Sequence, residues 1–153
     1  GVVSHGLAQN AEALALERIA FQECRVVLGY VSGRSMAGGI ILIGEPYWLK
    51  LPPTEDVAKA CDAGAASDFL TLPRLLASFG GLACDVVEMV LADQDSWDRY
   101  EAAKWLTMRR WLDANPDDGF APEVRARLSS EPERYAAFTR EYLGWGVFAL
   151  MAR

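Results

Sequence analysis

The feature that most constrains this chain is a short apolar run, Ile40-Ile41-Leu42-Ile43, with Gly38-Gly39 ahead of it and Gly44 behind. A continuous run of this kind, bounded by glycines, reads as a strand buried on both faces. Such strands belong mostly to parallel sheets covered by helices, so the run points to a layered α/β domain. Glu45-Pro46-Tyr47-Trp48 is expected to end the strand, and Pro52-Pro53 opens a loop that cannot continue a ladder.

Helical and extended signals alternate around this run. Ala11 to Tyr30 is rich in Ala, Glu, Leu and Arg and favours a helix capped by Asn10, turning β-branched near Cys24 to Val31. Thr54, with Glu55 and Asp56 behind it, opens a short helix. Asp68 to Phe79 predicts a second, ended by Gly80-Gly81, with Pro73 in its early turns. Leu82 to Ala92 reads as a strand interrupted by Asp85 and Glu88. From Ser96 to Asn115 the periodicity is clearest: Trp97, Tyr100, Trp105, Met108, Trp111 and Leu112 fall within an arc of about 140°. Asp95 or Ser96 is expected to cap that helix, and Asn115-Pro116 to stop it. Pro122 and Pro132 each predict the start of a further helix, to Leu128 and to Tyr142. A third strand follows at Val147 to Met151. The pattern is three-layer α/β with few strands for 153 residues, and it reads as one domain, 1–153, that is incomplete.

Composition narrows the partners. A net charge of −6 and a pI near 4.8, with no run of Lys or Arg interleaved with aromatics, argue against a nucleic-acid surface. The longest apolar stretch, Ala37 to Ile43, is too short to span a bilayer, and no signal peptide is evident, so a cytoplasmic protein is expected. Cys24, Cys61 and Cys84 are widely spaced, which predicts free thiols. With His5 the only histidine, no His-based metal site is expected.

In order and spacing, three stretches together resemble the C-terminal half of class I S-adenosylmethionine-dependent methyltransferases of the small-molecule type. Ala37-Gly38-Gly39 running through Ile40 to Glu45 is similar to that fold's entry to its fifth strand, with Ala37 where the family has proline. Glu45-Pro46-Tyr47-Trp48 is similar to the acidic-aromatic ending of one subgroup. Arg140-Glu141-Tyr142-Leu143-Gly144-Trp145-Gly146 resembles that subgroup's entry to its antiparallel last strand. Val2-Val3-Ser4-His5-Gly6 followed by Ala11 to Leu14 is similar to the end of the fourth strand and the next helix.

The resemblance implies a partial Rossmann-like sheet made of the family's last strands, the final one antiparallel, under helical cover. It implies S-adenosylmethionine as cofactor, with Ser4 and His5 beside it. For the small-molecule substrate it implies Glu45, Tyr47, Trp48, Trp97 and Tyr100. Each has a plainer alternative: an exposed loop acid for Glu45, packing beneath the Pro52-Pro53 loop for Tyr47 and Trp48, and core for the aromatic stripe. Arg140 is expected to anchor the last helix through an ion pair.

The sequence also departs from the family. Neither a Gly-rich loop after a first strand nor an acidic residue closing a second strand is present, and both are what such a fold uses to grip the cofactor. No nucleophile elbow of the GxSxG type occurs. The edge of the Ile40–Ile43 strand, where the family's fourth strand pairs, would be exposed, which predicts a homo-oligomer. Three readings follow: a methyltransferase-like protein, a non-catalytic scaffold or partner subunit, and a truncated fragment of such an enzyme. An upstream in-frame strand-loop-helix in the DNA would single out the third.

Overall fold

A computed structural model describes residues 39–153. Ser4, His5, Cys24 and the helix expected at 11–30 lie outside the described residues. In chain order the elements are β1 (Ile40–Trp48), α1 (Glu55–Ala60), α2 (Leu72–Gly81), β2 (Cys84–Leu91), α3 (Gln94–Ala114), α4 (Ala121–Arg134), a π-helical turn (Tyr135–Thr139), α5 (Arg140–Tyr142) and β3 (Leu143–Ala152). The strands form one sheet in the order β1-β3-β2, with the last strand in the middle. Both of its pairings are antiparallel. Leu49 N–H donates to the Tyr142 carbonyl at one end of the β1–β3 pair, and Arg153 N–H donates to the Ala83 carbonyl beside β2. A mixed α/β fold with an antiparallel final strand is therefore what the chain forms.

The described residues fall into two compact units, and all three strands pass through both. One comprises 39–45, Leu76–Met89 and Val147–Arg153. Its core is Ile43, Phe79, Cys84, Phe148 and Leu150, and the Phe79 and Phe148 rings meet at 5.4 Å. The other comprises Pro46–Leu75 and Val90–Gly146. Its core gathers Trp48, Ala58, Cys61, Ala63 and Leu143, with Phe69, Trp97, Phe138 and Tyr142 packed around them.

Local physics explains where the elements depart from expectation. β1 does not stop at Glu45 but runs on to Trp48. The Leu49 N–H points at β3, whereas the Trp48 N–H points the other way, to the Leu70 carbonyl. By alternation the nitrogen of Pro46 also faces away from β3, so the proline removes no bond from the β1–β3 ladder. The expectation that this strand is buried on both faces fails at Ile40 and Leu42, which are 65% and 73% exposed. Those side chains alternate with Ile43, and at this end of the strand, among the described residues, it is Ile43's face that is covered; farther along, the other face is covered at Pro46 and Trp48.

The helix expected from Asp68 begins at Leu72, because Asp68 is engaged in a turn of its own. Its Oδ2 accepts from the N–H groups of Gly64 (2.8 Å) and Ala65 (3.0 Å). Thr54 caps α1 as expected, accepting from Val57 N–H at 3.3 Å. The cap of α3 is Asp93, neither Asp95 nor Ser96: its Oδ1 accepts from Ser96 N–H at 2.7 Å. Pro132 does not open a new helix. It lies inside α4, and the widened π turn begins three residues later. Among the described residues no helix is long and apolar enough to cross a membrane.

Candidate functional site: an aromatic wall beside α3

The end of β1 places two aromatic side chains back to back in the second unit. Tyr47 is 4% exposed, and its ring lies across Gly144 of β3. Burial pushes its phenol above the ordinary value. Trp48 is 1% exposed. Its indole Nε1–H donates to the Ala66 carbonyl at 2.9 Å, and its ring meets Phe69 edge-on at 5.2 Å. Cys61 lies in the same cluster, and loss of solvent around it pushes its thiol up to about 11. Cys61 and Cys84 are both free and buried.

Helix α3 continues the wall outward. Trp97 packs against the Trp48 cluster and stacks on Tyr100, with centroids 5.7 Å apart and planes 13° from parallel. Tyr100 is half exposed, and the Lys104 ammonium sits 5.5 Å from its ring centroid. The Trp48 cluster, Trp97 and Tyr100 thus run from the interior to solvent as one aromatic path, while Tyr47, on the other face of β1, lies over Gly144 and takes no part in it. Glu45 is a buried residue of β1 in the first unit. The indole nitrogens of Trp97 and Trp105 are buried without a hydrogen-bond partner among the described residues. A shallow cleft of about 390 Å³ between Leu112, Pro116, Ala121 and Arg125 shares no residue with this wall.

What the sequence reading missed is the polar network that holds the wall in place. Asp98, one residue after Trp97, accepts from Tyr135 Oη (2.6 Å), Gln94 Nε2 (3.1 Å) and Arg140 Nε (3.1 Å). The π turn delivers Tyr135, whose ring also meets Trp105 at 5.8 Å. The ion pair expected of Arg140 is therefore present, with Asp98 as its partner. The Tyr135 and Arg140 hydrogen bonds hold the Asp98 carboxyl below its usual range, while burial and then Asp98 push the Tyr135 phenol up. Gln94 and Asp98 stand four apart on α3, so half of the network has a sequence signal; Tyr135 has none, because a π turn has no pattern to read.

The sign of the linkage follows from Asp98's lowered folded pKa. Its stabilisation is present above the unfolded carboxyl pKa of about 4 and is lost as pH falls through the folded value. The melting temperature of the native chain is therefore expected to fall more steeply between about pH 5 and pH 3 than that of Asp98→Asn. Equal slopes in a thermal-melt series would show that the network carries no pH-dependent stability.

The fold is consistent with the C-terminal part of a Rossmann-like methyltransferase. Comparison with known proteins agrees. No family model matches the chain. The Escherichia coli K-12 protein YjhP, itself uncharacterised, is 68% identical over 116 residues, which are 76% of this chain and 47% of YjhP. A SAM-dependent methyltransferase from Geobacter sulfurreducens, crystallised in complex with S-adenosyl-L-homocysteine, is 78% identical with a TM-score of 0.74, over 76% of this chain and 47% of that one. Another from Thiobacillus denitrificans, in complex with the same molecule, is 73% identical with a TM-score of 0.75, over 80% and 52%. The X-ray structure of YjhP matches with a TM-score of 0.74. The chain spans about half the length of each of these relatives. By sequence and by fold it is similar to the C-terminal portion of SAM-dependent methyltransferases.

Proposed function

We propose that this chain forms the substrate-facing portion of a cytoplasmic S-adenosylmethionine-dependent methyltransferase acting on a small molecule. The observation that carries this is its 73–78% identity, over 76–80% of its length, to two methyltransferases crystallised with S-adenosyl-L-homocysteine. The cofactor supplies the methyl group when bound. Ser4 and His5, the residues the resemblance places beside it, lie outside the described part, so no step is derived through it.

What the described residues contribute is binding, orientation and exclusion of water. Methyl transfer rests mostly on holding the acceptor in line with the methyl carbon, and rigid apolar walls do this without reorganising. Tyr100 and Trp97 offer a flat face to an apolar or aromatic acceptor, and the buried cluster around Trp48 backs Trp97. Lys104 adds one cation at the rim. The full activity belongs to a protein of about twice this length, which favours a second reading: a fragment or non-catalytic partner that keeps the fold without the cofactor grip.

Calorimetric titration of the purified chain with S-adenosylhomocysteine separates the two. Binding in the micromolar range is the expected outcome for a chain with a working site. No detectable heat at millimolar ligand would sink the enzymatic reading for this chain alone and leave the fragment.

A further inference from the structure

The first turns of α3 carry their charges in matched pairs. From Gln94 to Lys104 the charged residues are Asp95, Asp98, Arg99, Glu101 and Lys104. Asp95 pairs with Arg99, and Asp98 with Arg140. Lys104 holds both oxygens of Glu101, at 3.1 Å for Oε1 and 3.0 Å for Oε2. Each charge is thus met by an opposite one. The last pair differs from the others in burial: the Glu101 side chain is 8% exposed, against 70% for Asp95 and 39% for Asp98. This pair also borders the aromatic surface. Trp97 precedes Tyr100 by three residues and Lys104 follows it by four, so the two flank the ring from opposite sides along the helix axis. The Trp97 ring stacks on one side, and the Lys104 ammonium stands 5.5 Å from the ring centroid. A molecule laid against the exposed half of Tyr100 therefore meets Lys104.

We propose that Glu101 sets the charge preference of this surface: by holding Lys104 it leaves a rim with no free charge, which takes an uncharged planar ring. Burying a carboxylate is costly, and a buried ion pair adds little net stability over an apolar pair of the same volume. Lys104 does not need Glu101 to keep its charge, because its side chain is 31% exposed and reaches water. What the pair does is cancel that charge for anything placed on Tyr100. An anionic ring would give up water against Trp97 and Tyr100 and find the lysine already bonded. A cationic ring would face the ammonium. A neutral ring meets neither cost and gains the aromatic contact. This substrate class rests on the methyltransferase reading, in which Trp97 and Tyr100 face the methyl acceptor; the pairing of Glu101 with Lys104 does not.

The test is calorimetric titration of the purified chain, at neutral pH, with three probes of one size: naphthol, naphthoate and naphthylmethylammonium. Naphthol is expected to bind at least about tenfold more tightly than either charged ring. Glu101→Gln keeps the shape of the side chain and frees Lys104. It is expected to narrow the naphthol-to-naphthoate ratio by about fivefold, the worth of one partly exposed ion pair. Ala103→Lys makes the same test without touching the buried pair. Position 103 is exposed and one turn from Tyr100, and no carboxylate of α3 stands three or four residues away to neutralise the new cation. Naphthoate is expected to gain there too, and Tyr100→Ala to weaken naphthol. A purely structural role for Glu101 would lower the melting temperature and leave the ratio unmoved. Equal binding of the three rings, binding of none, or a ratio that neither Glu101→Gln nor Ala103→Lys moves would overturn the proposal. Titration with S-adenosylhomocysteine keeps the two readings apart. A chain that prefers naphthol yet ignores this ligand upholds the charge preference and sinks the enzymatic reading; one that binds it and shows no preference does the reverse.

Discussion

Replacing Trp48 by alanine is expected to destabilise the chain by about 3–5 kcal/mol, the range for truncating a large buried aromatic. No other described side chain of its size is so fully enclosed. Three losses coincide. The cavity opens inside the cluster of Ala58, Cys61, Ala63 and Leu143, the edge contact with Phe69 disappears, and the Ala66 carbonyl loses its indole donor. Since whole domains are stable by only about 5–15 kcal/mol, such a change removes much of the margin. A thermal melt is expected to move down by roughly 10 °C for a chain of this size. Trp48→Phe separates the terms. It keeps most of the packing and leaves the Ala66 carbonyl unpaired, at a cost of about 1–3 kcal/mol. A Trp48→Ala shift smaller than that of Trp48→Phe would show that the ring is not a core element.

Gly144→Ala is the second large effect, and it comes from adding one carbon. A Cβ built at Gly144 lies 2.5 Å from Cζ, 2.7 Å from Cε2 and 2.8 Å from the hydroxyl oxygen of Tyr47. The ring cannot swing aside, because Tyr47 is itself buried. Overpacking of this kind costs about 1–3 kcal/mol, and Gly144→Val is expected at or above the top of that range. Denaturant melts of the single variants and of Gly144→Ala combined with Tyr47→Leu form a cycle. The double variant is expected to be less destabilised than the sum of the singles, since the smaller side chain vacates the space. Simple additivity would mean that the close approach of ring and glycine plays no part.

This glycine also explains why part of the fold was legible in the sequence. Leu143-Gly144-Trp145 stood out as a motif, and its glycine sits where a neighbouring strand lays an aromatic ring on the backbone. The apolar runs at Ile40 and Val147 declared their strands because branched aliphatic side chains fit a pleated surface. Their ends were misjudged where the deciding groups lie elsewhere in the chain. Pro46 reads as a breaker until β3 is known to lie on its other side, and Asp68 reads as a helix start until it is seen holding Gly64 and Ala65. Of the candidate residues, Trp97 and Tyr100 were visible through helical spacing, and the structure brings Trp97 to Trp48 across nearly fifty positions. Asp98 and Tyr135 were not visible, because their pairing depends on the π turn. The burial of Ile40 and Leu42 was misread because the rule behind it counts on cover that the described residues do not supply.

The position of β3 in the middle of the sheet has a consequence for how the chain is made. Among the described residues β1 and β2 do not pair with each other; the strand that joins them is β3, the last of the three to leave the ribosome. At a synthesis rate of about 5–20 residues per second, the edge of β1 that β3 will cover stays open for several seconds, a state that invites aggregation or capture by a chaperone. The helices between can form as they emerge, from local contacts alone, but the sheet closes only when Leu143–Ala152 arrives. Loss of that segment would therefore not trim the sheet by one strand; it would leave two strands with nothing to join them.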